Sequence, residues 1–235
     1  MKDNPLLLYT GGSKVNIDKI FNPRDEIDYY RSSAHCPPSI AELDFLERDM
    51  SHWVPDFPSI FSGKKIIDLG AGTAPVGTLI SQRFSPSSVV SLELVFSRLR
   101  SATLWMNQLP FLNLTCGDIF NLPFQDKSFD IVIANSVLHH LGNVDQAILE
   151  IARVLKPDGM YIGREPNFDN PLARFYVFKC ISHTANEYPL RSRAIINSFN
   201  LAGCRCEMHY FSRRLPILKN PILSIAMSVR AMRDK

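Results

Sequence analysis

From Lys64 to Pro166 the chain alternates short apolar, β-branched runs with amphipathic stretches of about ten residues, and few folds accept that rhythm. The apolar runs are KIIDL, SVVSLEL, FLNLTCGD, FDIVIANS and GMYIGREP, and between them lie VGTLISQRF, FSRLRSATLWMNQ and VDQAILEIARVLK. Strands separated by helices return to a sheet in parallel, and parallel strands are buried on both faces. The pattern therefore predicts a parallel sheet covered by helices on each side. Pro157-Asp158-Gly159 is expected to stop the third of these helices at Lys156 and to open the fifth strand.

The flanks are less regular. Glu26–Met50 carries a weak helical pattern broken by Pro37-Pro38, and ELDFLERDMSHWV within it reads as an amphipathic helix ahead of the sheet. After Pro166, NFDNPLARFYVFKCISHTANEYPL has no period of its own and reads as an insertion over the site. RSRAIINSFNLAG then predicts a helix ended by Gly203, and CRCEMHYFS a strand. In ILSIAMSVRAMR, Ile225, Met227, Val229 and Ala231 alternate although Ala and Met favour helix; we read a final strand. The expected division is an N-terminal covering segment over 1–62 and a main domain over 63–235, with 167–190 as a lid insertion.

Composition narrows the function. With 235 residues and 46% hydrophobic content the chain can bury a full α/β core. The 26 basic and 23 acidic residues leave a net charge of +3, too balanced to favour nucleic acid. Five cysteines, an odd number without a Cys-x-x-Cys pair, read as reduced thiols in a cytoplasmic protein. No apolar run is long enough to span a bilayer.

The first strand runs into a glycine turn, KKIIDLGAGTAPVG, where open α/β sheets bind ligands. Gly70-Ala71-Gly72 is followed by Thr73, Ala74 and Pro75, so proline stands where a dinucleotide fingerprint has its third glycine. A phosphate-loop Gly-Lys-Ser/Thr is also absent. Pro75 suits the first turn of a helix. Asp68, two residues before Gly70, would repel a pyrophosphate but suits an ammonium group. S-adenosylmethionine carries such a group and no phosphate.

Here the chain resembles the class I S-adenosylmethionine-dependent methyltransferases, from about Lys64 to Asn167. Its motifs are closest in style to the ubiquinone/menaquinone-biosynthesis-type branch, methyltransferase type 11. The resemblance implies a Rossmann-like, doubly wound, mostly parallel seven-stranded α/β sheet and S-adenosylmethionine as cofactor, with Asp68, Gly70, Ala71 and Gly72 forming its turn. Glu93 ends the second strand 23 residues after Gly70, near the spacing of an acid that binds ribose hydroxyls; otherwise it is a solvated strand-end glutamate. Leu94 beside it would face the adenine ring. The run CGDIFNLPFQDKSFDIVIANSVLHHL closely resembles the same branch. It implies that Asp118 accepts from the adenine amine and that the N–H of Ile119 serves a ring nitrogen, with Asp118 as a mere loop cap the other reading. Asn135 and Ser136 would lie along the methionine part.

Transfer of a sulfonium methyl needs alignment and no metal, but an amine or hydroxyl acceptor must still lose a proton. His140 and, after it, His139 are the candidate bases, and Asn135 the candidate for orienting substrate. Tyr29, Tyr30 and Arg31 either close over the site or pack on the sheet edge. Arg164, Arg174 and Arg191 either bind a substrate carboxylate or are ordinary surface cations. The expected partner is a small-molecule acceptor. The Asn/Asp-Pro-Pro-Tyr/Phe signature of base-flipping amino-methyltransferases is absent, and the sequence is silent on oligomeric state.

Overall fold

The computed structural model describes residues 7–10, 13–16, 38–103, 109, 111–176, 188–211, 224 and 226–234. Tyr29, Tyr30, Arg31, Cys36 and Cys180 lie outside them.

Two short strands, β1 (Leu7–Thr10) and β2 (Ser13–Asn16), pair antiparallel in a separate two-stranded sheet. Helix α1 (Ile40–Met50) begins two residues before the predicted stretch and ends four residues before its close, because Ser39 and Glu42 form a reciprocal capping box. Its inner residues Leu43 and Met50, with Trp53 and Phe61 beyond it, pack in one cluster with Ile66 and Ile80. Arg83 pairs with Asp44 and Glu47 across the outside of that contact.

The main sheet is built from β3 (Lys65–Leu69), β4 (Ser88–Glu93), β5 (Leu112–Cys116), β6 (Phe129–Asn135), β7 (Leu155–Pro166), β8 (Cys204–Phe211) and β9 (Ala226–Arg233). Their order is β5-β4-β3-β6-β7-β9-β8. The five from β5 to β7 are parallel; β9 runs antiparallel to both β7 and β8. The fold is therefore the expected seven-stranded, doubly wound α/β sheet, and ILSIAMSVRAMR does supply a strand.

Alternate residues feed opposite layers, as the pleat requires. Ile66, Ile131, Ile133 and Ile162 face α1 and α2 (Pro75–Arg83), while Ile67, Val132, Ala134 and Tyr161 face α4 (Val144–Val154) and α6 (Ser192–Leu201). Helix α3 (Phe96–Ala102) follows β4, and α5 (Pro171–Tyr176) is a short helix inside the stretch read as aperiodic.

One boundary needs correction. Helix α4 ends at Val154, not Lys156, and Leu155 already pairs with Phe129. The guanidinium of Arg233 donates to the carbonyls of Ala152, Arg153 and Leu155, which satisfies the helix end from β9. Lys156–Gly159 then loops out within β7 before Met160 pairs with Ile131, and Lys156 returns to Asp130 at 2.9 Å.

Candidate active site

β3 has β4 on one side and β6 on the other, so the crossovers depart in opposite directions and leave a cleft at the carboxyl ends of the strands. Gly70, Glu93, Leu94, Asp118, Ile119, Asn135, Ser136 and His140 all line that cleft. Asp68, Ala71, Gly72 and His139 do not.

The glycine turn explains the difference. Gly70 and Gly72 have φ of +61° and +60°, and a Cβ on Gly70 would come within 2.8 Å of a Val137 methyl. Helix α2 starts at Pro75 behind Ala74, which has no side-chain oxygen with which to cap. Asp68 does that work from the neighbouring strand: its Oδ2 accepts from the N–H of Gly77 and from the Ser91 hydroxyl, both at 3.2 Å. Asp68 is 2% exposed, and burial, opposed by these two bonds and aided by nearby Glu93, pushes its carboxyl up to about 7. The expectation of direct contact with an ammonium group is thus corrected, since the carboxylate sits beneath the turn. Gly77, which the sequence reading passed over, is the close-packing glycine. A Cβ there would lie 2.1 Å from Ser91 Oγ.

Glu93 is buried at the cleft edge, where Oε2 accepts from the N–H of Gly72 at 2.7 Å and Oε1 from that of Val95 at 2.9 Å. It braces the turn while lining the cleft, a double role that spacing alone did not reveal. Arg98, also unforeseen, lines the cleft with Nη1 3.7 Å from Glu93. Asp118 caps its own loop through Oδ1, which accepts from Phe120 N–H at 2.9 Å, and lines the cleft as well. That loop is pinned from behind by Arg153, which donates to the carbonyls of Leu122 and Phe124 and to Glu150 and Asp126.

On the other side, Ser136 takes a left-handed φ of 61° and donates its N–H to the Arg164 carbonyl at 2.7 Å. Asn135 Oδ1 accepts from Arg164 at 3.4 Å, and Arg164 faces the buried Asp49 at 3.5 Å. Arg164 is therefore engaged by Asn135 and Asp49. Arg191 precedes α6, away from the cleft lining, and the side chain of Arg174 lies outside the described residues. The turn Leu138–His140 carries both histidines. His140 reaches the cleft; His139, 5% exposed, turns inward to Glu165 at 2.6 Å. As a base, His139 is corrected by that burial.

Residues 67–163 match a protein family described as a methyltransferase domain. Over those 97 of its 235 residues the chain therefore carries the pattern of a methyltransferase domain. It is 32% identical over 101 residues to malonyl-(acyl-carrier protein) O-methyltransferase of Methylovorus sp., covering 40% of this chain and 34% of that protein. It is 33% identical over 106 residues to demethylmenaquinone methyltransferase of Lactobacillus johnsonii, covering 42% of each. The match thus spans less than half the length of these relatives. The crystal structure of an S-adenosylmethionine-dependent methyltransferase from Mesorhizobium loti superposes with a TM-score of 0.62 over 81% of this chain and all of that one, at 16% identity. S-adenosylmethionine is the cofactor of this domain family, and the cleft's chemistry fits it. The carboxylates Glu93 and Asp118 face hydroxyls and an amine well and a pyrophosphate badly.

Proposed function

We propose that the protein transfers a methyl group from S-adenosylmethionine to a nucleophilic nitrogen or oxygen of a small metabolite. The observation that carries this is the strand order under the cleft, β5-β4-β3-β6, which sets Glu93, Leu94, Asp118 and Ile119 at one end, Gly70 in the middle, and Asn135, Ser136 and, after them, His140 at the other. In this reading Glu93 accepts from the ribose hydroxyls, Leu94 and Ile119 sandwich the adenine, and Asp118 accepts from its amine. Gly70 lets the methionine part approach the backbone, beside Asn135 and Ser136.

S-adenosylmethionine supplies, when bound, an electrophilic methyl on a positively charged sulfur. The chain's own task is to hold the acceptor in line and exclude water. The Asn135 amide, held through its oxygen by Arg164, presents its N–H2 group to an acceptor oxygen. His140 takes the acceptor's proton, imidazole being the side-chain base whose ordinary range lies nearest neutrality. A small acceptor and a cytoplasmic setting agree with the near-balanced charge and with the free thiols of Cys116, Cys204 and Cys206. Methylation of RNA or protein lacks a supporting basic tract.

Calorimetry with S-adenosylmethionine and with NAD tests the cofactor, and binding of NAD alone would refute the reading. Methyl transfer to a metabolite extract, followed by mass, then tests the acceptor. His140→Ala is expected to lower kcat by about 10²–10⁴ with cofactor affinity retained, and the wild-type rate to fall at acid pH. A near-normal rate with an unaltered acid limb would reassign His140 to packing.

A further inference from the structure

Glu165 lies at the end of β7, 1% exposed and outside the cleft, and its carboxylate is fully used. Oε1 accepts from the N–H groups of Val137 at 3.1 Å and Leu138 at 2.9 Å. Oε2 accepts from the N–H of His139 at 3.4 Å and meets its Nδ1 at 2.6 Å. A carboxylate offers about four acceptor sites, and all four go to one turn.

We propose that Glu165 is a positioning residue for methyl transfer, fixing the turn Val137–His140 so that Val137 forms the wall beside the glycine turn and His140 faces the acceptor. The proposal rests on the methyltransferase reading above. Three contacts show how the clamp reaches the cleft. Val137 packs so tightly on Gly70 that no Cβ fits between them. The His139 ring lies 4.1 Å from the His140 ring, centroid to centroid. The His139 carbonyl accepts from Tyr188 N–H at 2.8 Å, which holds the turn from its far side. With its ring, amide and carbonyl all engaged, His139 leaves the turn one arrangement. A residue that holds three consecutive amides without touching ligand acts on catalysis only through the groups it places.

The test uses the full chain with Glu165→Gln and Glu165→Ala, and Phe84→Leu as a core variant remote from the cleft. Binding of S-adenosylhomocysteine is measured by calorimetry below each thermal midpoint, and the His140 ring is followed by NMR of histidine-labelled protein. Glu165→Gln keeps one acceptor oxygen but turns an N–H2 group toward His139. Weakened binding is expected, reaching roughly tenfold or more in Glu165→Ala. The His140 ring signal is expected to move in both, while Phe84→Leu lowers the midpoint with unchanged affinity and an unmoved ring. Affinities within about twofold of wild type and a stationary His140 signal would overturn the proposal and leave Glu165 a fold support. Should Glu165→Ala fail to fold, Glu165→Gln decides alone. If the wild-type chain binds no S-adenosylhomocysteine, the functional reading fails, and the positioning claim is then decided by the ring signal.

Discussion

Glu93 and Glu165 both end strands of one sheet, both are buried, and both hold backbone N–H groups, yet the two ends of the cleft use them in opposite ways. Glu93 braces Gly72 and Val95 and still lines the cleft. Glu165 holds Val137, Leu138 and His139 from behind, and the cleft sees only the turn it holds. In the proposed reading the adenosine end is thus built from carboxylates that do two jobs each, and the acceptor end from one that does a single job through others. Where the same group supports a turn and faces ligand, support and affinity fall together; where they are separate, the facing group can change without loss of the turn.

The largest effect that bears on this contrast comes from Asp68, which supports without facing the cleft, beneath the glycine turn between the two ends. Burial raises it from its usual 3.8 to about 7, so the folded protein keeps a proton that the unfolded chain gives up near pH 4. The sign follows: the stabilisation is complete below about pH 4 and is lost as pH rises through 7, amounting to on the order of 4 kcal/mol. Asp68→Asn, permanently neutral with its acceptor oxygen kept, should flatten the stability profile between pH 4 and 7. Urea unfolding at pH 5 and pH 8 measures this, and parallel slopes for the two proteins would remove the assignment.

Next in size is Glu93→Ala, which should weaken S-adenosylmethionine by about 1.5–3 kcal/mol, roughly tenfold to a hundredfold, and lower the thermal midpoint too. A lowered midpoint with an unchanged dissociation constant would make Glu93 a brace that does not touch ligand, and the contrast would vanish. Smaller is Gly77→Ala, whose new methyl displaces Ser91 Oγ and costs about 1–3 kcal/mol. Adding Ser91→Ala should recover part of that loss, because it removes the 2.1 Å contact and leaves Ser91 Cβ at 3.5 Å, while Leu112 Cδ1 at 2.9 Å must still shift. An additive double variant would show that the crowding lies elsewhere.

What the sequence disclosed follows the same division. Strand periodicity, the glycine turn and the 23-residue interval to Glu93 are local or ladder-bound signals, so the parallel sheet and Glu93 were legible, while Leu94, Asp118 and Ile119 on the same rim were implied by the family resemblance. Asp68 was legible as a strand-end carboxylate but not as the acceptor for the Gly77 N–H nine residues on, since Ala74 plainly has no oxygen to offer but nothing local says which side chain stands in for it. His139 and His140 are adjacent in sequence and alike in type. Only the buried Glu165, 26 residues later, separates them by drawing one ring inward. The end of α4 was misplaced for a similar reason, because its cap is Arg233 on β9, 78 residues beyond Leu155.

The sheet order has one more consequence, for the way the chain assembles as it is made. β9 lies between β7 and β8, so β8 is synthesised first but finds its neighbour only when residues 226–233 have followed it. At roughly 5–20 residues per second that interval lasts on the order of seconds. During it Cys204–Phe211 lacks a partner and β7 is paired on one side only, while β3, β4 and β6 already have both their neighbours and β5 its single one. The ligand-holding half of the molecule can therefore pair most of its strands before the sheet is whole, and the vulnerable period for mispairing belongs to β7 and β8, which both wait for β9.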